Sequence, residues 1–325
     1  MPRQALAAMN SAARVVSRVA GERPCVDSRT MTSHPFTTDV LGTAFPFIKL
    51  GYREFGIADG DVGSMLLFAG LRFSLAGILV ILFLCARERR LALPQKPELA
   101  PILLLGVIQT AGQYFCTYFG IGHTTGTNTS IITACGSFLT VLFAPLFFKS
   151  DRLTLLKLLG CAIGFAGVLV INGGGGFRLD TLFGDFLIFM STVFASGGNL
   201  IAKGFSKGKD PVSITGWQLL LGGLMLTLAG LFGGGRLDLS NLRGLLILLW
   251  LALVSAVAFT VWTALLKHHP AGKIAVFNLL VPVFGRALSG LLLGENVWRW
   301  EALLSLTLIA AGIVLVNISR GNTND

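Results

Sequence analysis

Inside several long apolar runs of this 325-residue chain, polar side chains recur at helical spacing. Gln109, Gln113 and Thr117 share a face of one run, and Thr129, Thr133, Ser137 and Thr140 share a face of the next. Thr192, Ser196, Asn199 and Lys203 form a third stripe, and Asn278, Pro282, Arg286 and Ser289 a fourth, all at steps of three or four. Amides and hydroxyls in hydrocarbon have two uses. They hydrogen-bond neighbouring helices, at about 0.6 kcal/mol per contact, or they line a water-filled path for a polar solute. A single Thr or Ser reads as the first, whereas four stripes in one chain point to the second. The residues expected at a central solute-binding cavity are Gln109, Gln113, Thr133, Asn199, Trp262, Asn278 and Arg286. Trp262 is included because it matches Thr117 in the internal repeat described below.

Three cations also stand within apolar runs: Lys49, Arg72 and Arg286. Lys49 is near a run's end, where a long side chain snorkels to the interface. A cation nearer the middle of a helix costs at least about 2.5 kcal/mol on insertion scales and needs a partner. Arg286 follows Asn278 by two helical turns and Pro282 by about one, which puts all three on one face. Its planar fork suits a carboxylate, so the expected solute carries an anionic group that Arg286 contacts. Arg72 reads as a second contact or as a partner of Glu295. The alternative for Arg286 is an outward reach to headgroups, or pairing with Glu295. Pro46, Pro145 and Pro282 each remove a backbone hydrogen bond inside an apolar run, as kinks or as gates do.

Enzyme chemistry has no constellation to rest on. His34, His123, His268 and His269 fall in or beside loops, no H-E-x-x-H or paired intramembrane Asp occurs, and GGNLIAKG at 197–204 has Ala202 where a P-loop needs Gly. The five cysteines are scattered without a C-x-x-C and read as packing residues, so no metal or other cofactor is expected.

The elements that must position these side chains are membrane helices. The chain is 53% hydrophobic and 13% charged, against about 25% charged for soluble domains. Its mean hydropathy is +0.74. Several runs approach the roughly 20 residues that cross a bilayer. They lie at about 40–52, 63–86, 100–121, 125–148, 153–172, 183–203, 212–233, 243–266, 272–293 and 298–318. The first is short and carries Pro46 and Lys49. The fold expected is an all-α polytopic membrane protein of ten transmembrane helices. The excess of Lys and Arg lies between the runs, where loops facing the cytoplasm put it, and gives no reason to invoke nucleic acid.

A 145-residue shift lays 102–172 over 247–317 without a gap, superposing His123 on His268, Thr133 on Asn278 and Ala166-Gly167 on Ala311-Gly312. Five helices per copy, an odd number, turn the second copy upside down, which is the inverted-repeat plan of a secondary transporter. The divisions expected are 1–38, a polar and disordered extension for which an organellar presequence is the second reading; 39–172, the first five-helix repeat; 183–318, the second; and 319–325, a tail. Twelve Lys and Arg against five favour the loops on the side of the termini, so both termini are expected in the cytoplasm, with the chain in the cytoplasmic membrane.

GTAFPFIKLG at 42–51, LRF at 71–73, TTGTNTS at 124–130, LLGCAIGFAGVLVI at 158–171 and PVFGRALSGLLLGE at 282–295 resemble the signature stretches of the EamA family in the drug/metabolite transporter superfamily. The resemblance covers about residues 41–318. It implies ten helices in two inverted repeats and a secondary carrier, often an exporter of amino acids or related small metabolites. The chain departs from that pattern in the polar segment around Asp39, in Arg286 where a small residue is usual, and in Ser150-Asp151 where the second half keeps Gly294-Glu295. A non-transporting membrane scaffold, or a carrier impaired by its atypical first helix, is the rival reading.

Overall fold

The computed structural model describes residues 47–318 apart from 59, 90–92, 125, 149–152, 173–180, 207–208 and 281–299. Among the described residues every regular element is a helix. In chain order these are α1 (47–54), α2 (Val62–Glu88), α3 (Lys96–Ile121), α4 (Gly126–Phe147), α5 (Leu155–Asn172), α6 (Leu182–Ser206), α7 (Pro211–Phe232), α8 (Leu242–His268), α9 (Ala271–Ala275, continued as a 3₁₀ turn over Val276–Leu280) and α10 (Trp300–Ile318). Five of them, α2, α3, α6, α7 and α8, are long and apolar enough to cross a membrane; shorter apolar helices cover Ile131–Phe147, Leu155–Val170 and Leu303–Ile318.

The helix ends follow from capping residues between the apolar runs. Asp61 Oδ1 accepts from Ser64 N at 3.0 Å to open α2, which closes at Arg89 with a left-handed φ of 53°. Asp210 Oδ1 accepts from Val212 N at 3.0 Å ahead of Pro211, whose missing N–H costs nothing at a first helical position. Asn241 Oδ1 accepts from Arg243 N and Gly244 N to open α8. Caps of this kind are worth about 1 kcal/mol each. One expected helix differs at its start. The run from 272 turns from α to 3₁₀ at Val276, before the described residues end.

Two seams hold the bundle together, and both are made of glycine. Gly63, Gly70 and Gly77 stand seven residues apart on α2, and Gly216, Gly223 and Gly230 stand seven apart on α7. The helices run antiparallel so closely that an added Cβ at Gly77 would lie 2.7 Å from Leu220 Cα, and one at Gly230 would lie 2.7 Å from Leu67 Cα. A Cβ at Gly77 would meet Gly216 O at 2.8 Å, and one at Gly230 would meet Gly63 O at 2.9 Å. These contacts come in exchanged pairs: a shift of 153 residues carries the first ladder onto the second and each contact onto its counterpart. The second seam joins α5 to α10. There a Cβ at Gly160 would meet Gly312 O at 2.7 Å and one at Gly167 would meet Ser305 O at 2.9 Å, and the 145-residue shift exchanges these two contacts. Small residues allow such backbone approach, which drives helix association where no hydrophobic effect operates.

The interior splits into three apolar clusters. One lies between α2, α7 and α8 around Phe68, Phe73, Leu219 and Leu251; one lies where α3, α6 and α8 meet around Leu105, Leu200 and Leu266; one lies between α4, α5 and α10 around Val141, Cys161 and Ile309. Large apolar side chains such as Leu82, Phe186, Leu228, Leu246 and Leu303 point outward. In water they would form an aggregating surface; lipid tails wet it. Charged residues gather at the helix ends. On one side Arg87 pairs with Asp210, Lys209 Nζ lies 3.8 Å from Glu98 Oε1, and Lys267 Nζ donates to Lys209 O at 2.8 Å.

Candidate functional site

Three of the seven expected site residues meet at one atom. Gln109 Nε2 donates to Asn199 Oδ1 at 3.1 Å, and Trp262 Nε1 donates to the same oxygen at 2.9 Å. Gln109, Asn199 and Trp262 are each at least nine-tenths buried. They come from α3, α6 and α8, so the cluster pins three helices at a point.

Local backbone explains how Gln109 gets there. The segment Gly106–Gly112 of α3 is a π-helix, an uncommon wide turn that redirects side chains and recurs at functional sites. Opposite it, Gly198 leaves room: a Cβ there would stand 2.7 Å from Gln109 Cβ. Gln109 Oε1 is buried and accepts no hydrogen bond among the described residues. An orphaned buried acceptor carries a desolvation cost of about 1–3 kcal/mol, and it is a place where a donor on a solute would be rewarded.

The remaining expected residues stand elsewhere. Gln113, one turn further along α3, is half-buried, and its carbonyl accepts from Thr117 Oγ1 at 2.9 Å. Thr133 is exposed on α4 and makes no hydrogen bond among the described residues. Asn278 is half-buried in the 3₁₀ turn after α9. Arg286 lies outside the described residues, as do Pro282, Ser289 and Glu295.

The hydroxyl stripes resolve into packing. Thr140 Oγ1 donates to Gly136 O at 2.9 Å, Thr192 Oγ1 to Phe189 O at 2.7 Å, Ser196 Oγ to Gly136 O at 2.8 Å and Ser137 Oγ to Ala275 O at 2.8 Å. A hydroxyl bonded to its own helix one turn back, or to a neighbouring carbonyl, is already satisfied. The amides and the indole are what distinguish the cluster at Asn199. An apolar recess of about 300 Å³ is lined by Ala111, Gly112, Phe115, Cys116, Phe194, Met225, Leu226 and Ala229. It offers a polar solute nothing to bond, so the recess and the polar cluster are separate features.

Sequence reasoning missed one polar site. Asp185, in the first turn of α6, is buried and accepts from Asn128 Nδ2 at 2.9 Å, from Thr181 Oγ1 at 3.1 Å and from Thr124 Oγ1. It ties the start of α4 to the start of α6, where the helix dipole also favours a carboxylate. Its signal was Thr181 and Asp185 one turn apart at a helix start. Arg72, expected from the sequence as a second solute contact or a partner of Glu295, donates from Nε to Ser255 Oγ at 2.8 Å within the membrane-spanning part of α2 and α8.

The model of the EamA-like transporter family matches residues 40–173 and again 182–318. The chain belongs to the EamA-like transporter family. Among similar EamA-related proteins is a probable amino-acid metabolite efflux pump of Salmonella typhimurium (strain LT2), 29% identical over 85% of this chain and 90% of that one. An uncharacterized inner membrane transporter, YedA, of Escherichia coli (strain K12) is 27% identical over 86% and 88%. An uncharacterized transporter, YetK, of Bacillus subtilis (strain 168) is 25% identical over 78% of each. A solved crystal structure superposes with a TM-score of 0.72 at 18% identity, covering 88% of this chain and 97% of its own, and bears on the fold alone. This EamA chain is therefore a membrane protein of a transporter family, and these relatives carry transporter names, not enzyme names.

Proposed function

We propose that the protein is a secondary carrier that moves an amino acid or related small metabolite, by export, through alternating access of two inverted five-helix repeats in the cytoplasmic membrane. The observation that carries this reading is the buried Gln109, Asn199 and Trp262 cluster, which joins α3 of the first half to α6 and α8 of the second and keeps a spare acceptor at Gln109 Oε1. A solute held there touches both halves, as a carrier requires. The inverted repeat is supported by the exchanged glycine contacts of the α2–α7 and α5–α10 seams, because a two-fold relation pairs each contact with its counterpart. Both termini are placed in the cytoplasm, on the side where Arg87, Arg89, Lys96, Lys209, Lys267 and Lys273 gather. Gln113, Thr133, Asn278 and Arg286 are retained as further solute contacts in other stages of the cycle.

The test is counterflow into proteoliposomes that contain no ATP, with a panel of labelled amino acids and small metabolites. Saturable, trans-stimulated uptake is expected. Flux that requires added ATP at constant gradients, or no saturable flux for any member, would remove this reading.

A further inference from the structure

Arg72 is the eleventh residue of the 27-residue α2, about 15 Å along the helix from its start, and it is only 4% exposed. Its Nε is committed to Ser255 Oγ at 2.8 Å, and Ser255 in turn donates to Leu251 O at 2.8 Å. The guanidinium carbon stands 5.0 Å from the ring centre of Phe73. The phenols of Tyr52, Tyr114 and Tyr118 lie within electrostatic reach. The Tyr52 hydroxyl is buried, with the Tyr118 phenol as a polar neighbour. Among the described residues no carboxylate pairs with Arg72, and its terminal nitrogens make no hydrogen bond.

A buried charge in so dry a place is costly unless something compensates it. Ser255 holds the Nε edge, which leaves the outer edge of the fork as the free one. Two N–H groups side by side match the two oxygens of a carboxylate, and aromatic walls that exclude water strengthen the pairing. Depth argues against a lipid headgroup, since the site lies well inside α2. Ser255, Phe259 and Trp262 lie within two turns of one another on α8 at helical spacing, so Arg72 and the Asn199 cluster are about 10 Å apart along that helix. Between them Phe73 packs on Tyr114, ring centres 4.4 Å apart, and edge-on to Phe259 at 5.8 Å.

We propose that Arg72 is the cation that receives the carboxylate of the carried solute, with Tyr52, Tyr114 and Tyr118 as the phenolic wall around it. The assignment rests on the carrier reading above and adds to it a required chemical group. The Phe73, Tyr114 and Phe259 layer closes the site in this conformation and must part for the solute to enter.

Counterflow with a mixture of labelled L-amino acids, run beside the matching decarboxylated amines and with inorganic phosphate as competitor, tests this. Wild-type protein should take up the acids at least roughly tenfold better than the amines, as loss of a charged hydrogen-bonded pair implies. Arg72→Gln should shrink that preference to within about twofold, and Arg72→Lys, which keeps charge without the fork, should fall between. A clamp between α2 and α8 would lower uptake of both sets alike and leave the ratio unchanged, which overturns the assignment. Acids and amines taken up equally by wild type would overturn it too, while the carrier reading stands. Phosphate competing as well as the acids would reassign the cation to phosphate-type anions and overturn the carboxylate. If Arg72→Gln does not reach the membrane, the wild-type comparison together with Arg72→Lys decides. Absence of uptake for both sets in wild type would overturn the carrier reading and this assignment together.

Discussion

Replacing Gly70 by Ala places a methyl group 2.7 Å from Thr227 Cα and 2.5 Å from Thr227 Oγ1. Carbon atoms rest comfortably about 3.5–4.0 Å apart, so α2 and α7 must separate by about 1 Å at that point or bend around it. The neighbour is backbone, which cannot swing aside as a side chain would. Overpacking of this kind costs about 1–3 kcal/mol. For a chain of this size that is a fall of roughly 1–5 °C in melting temperature. Gly223→Ala is the partner experiment, since its Cβ would stand 2.8 Å from Phe73 C and the 153-residue shift relates the two positions; it should cost the same to within about half of the effect. Gly197→Ala is the control, because nothing lies within 4 Å of its Cβ and Ala is the better helix former by about 1 kcal/mol. The assay is thermal unfolding of detergent-purified protein followed by tryptophan fluorescence. Gly70→Ala melting at or above Gly197→Ala would refute the seam as the close contact that holds the two halves.

Asn199→Leu strands Gln109 Nε2 and Trp262 Nε1 without their acceptor and should lower counterflow by about tenfold or more at equal abundance, whereas Asn199→Asp keeps an oxygen there and should lose less; equal loss in both would argue against the shared acceptor. A C-terminal reporter active only outside the cytoplasm should be silent in cells, and a bright signal would reverse the orientation. Burial, reinforced by His268, Lys273 and Lys203, holds the His269 imidazole below its ordinary pKa of 6.5. The unfolded chain then binds the proton first, so the stability contributed is full above about pH 6.5 and is lost as the pH falls through the folded value. His269→Gln should flatten that loss in melting temperature between pH 7 and 5; an unaltered pH profile would rule His269 out as its source.

Helix positions were legible because apolar runs end at residues with a physical reason to end them. The run read as 63–86 is Val62–Glu88, that at 183–203 is Leu182–Ser206, and that at 243–266 is Leu242–His268. The seven-residue glycine ladders were equally visible as letters but meant nothing until two helices were laid side by side. The π turn at Gly106–Gly112 leaves no mark in composition, since it is a choice of hydrogen-bond partner and not of residue type. At the candidate site the chemical types were legible and the neighbours were not. Asn199 had to be polar for a reason, but which helices look at it is a tertiary fact. Thr133 fell on a plausible stripe and yet is exposed, because periodicity fixes a shared face of a helix and not the direction in which that face points.

The glycine seams also have a mechanical consequence. A contact made of backbone against backbone has no rotamers to exchange, so it can be closed to only one depth and resists both sliding and rolling. The α2–α7 and α5–α10 pairs therefore act as stiff struts. Where α3, α6 and α8 meet, by contrast, the parts are long amides, aromatic rings and a wide helical turn, each with more than one resting position. Compliance is concentrated at that junction, and any movement that opens the interior is absorbed there, with each strut, one helix from either half, turning as a whole body.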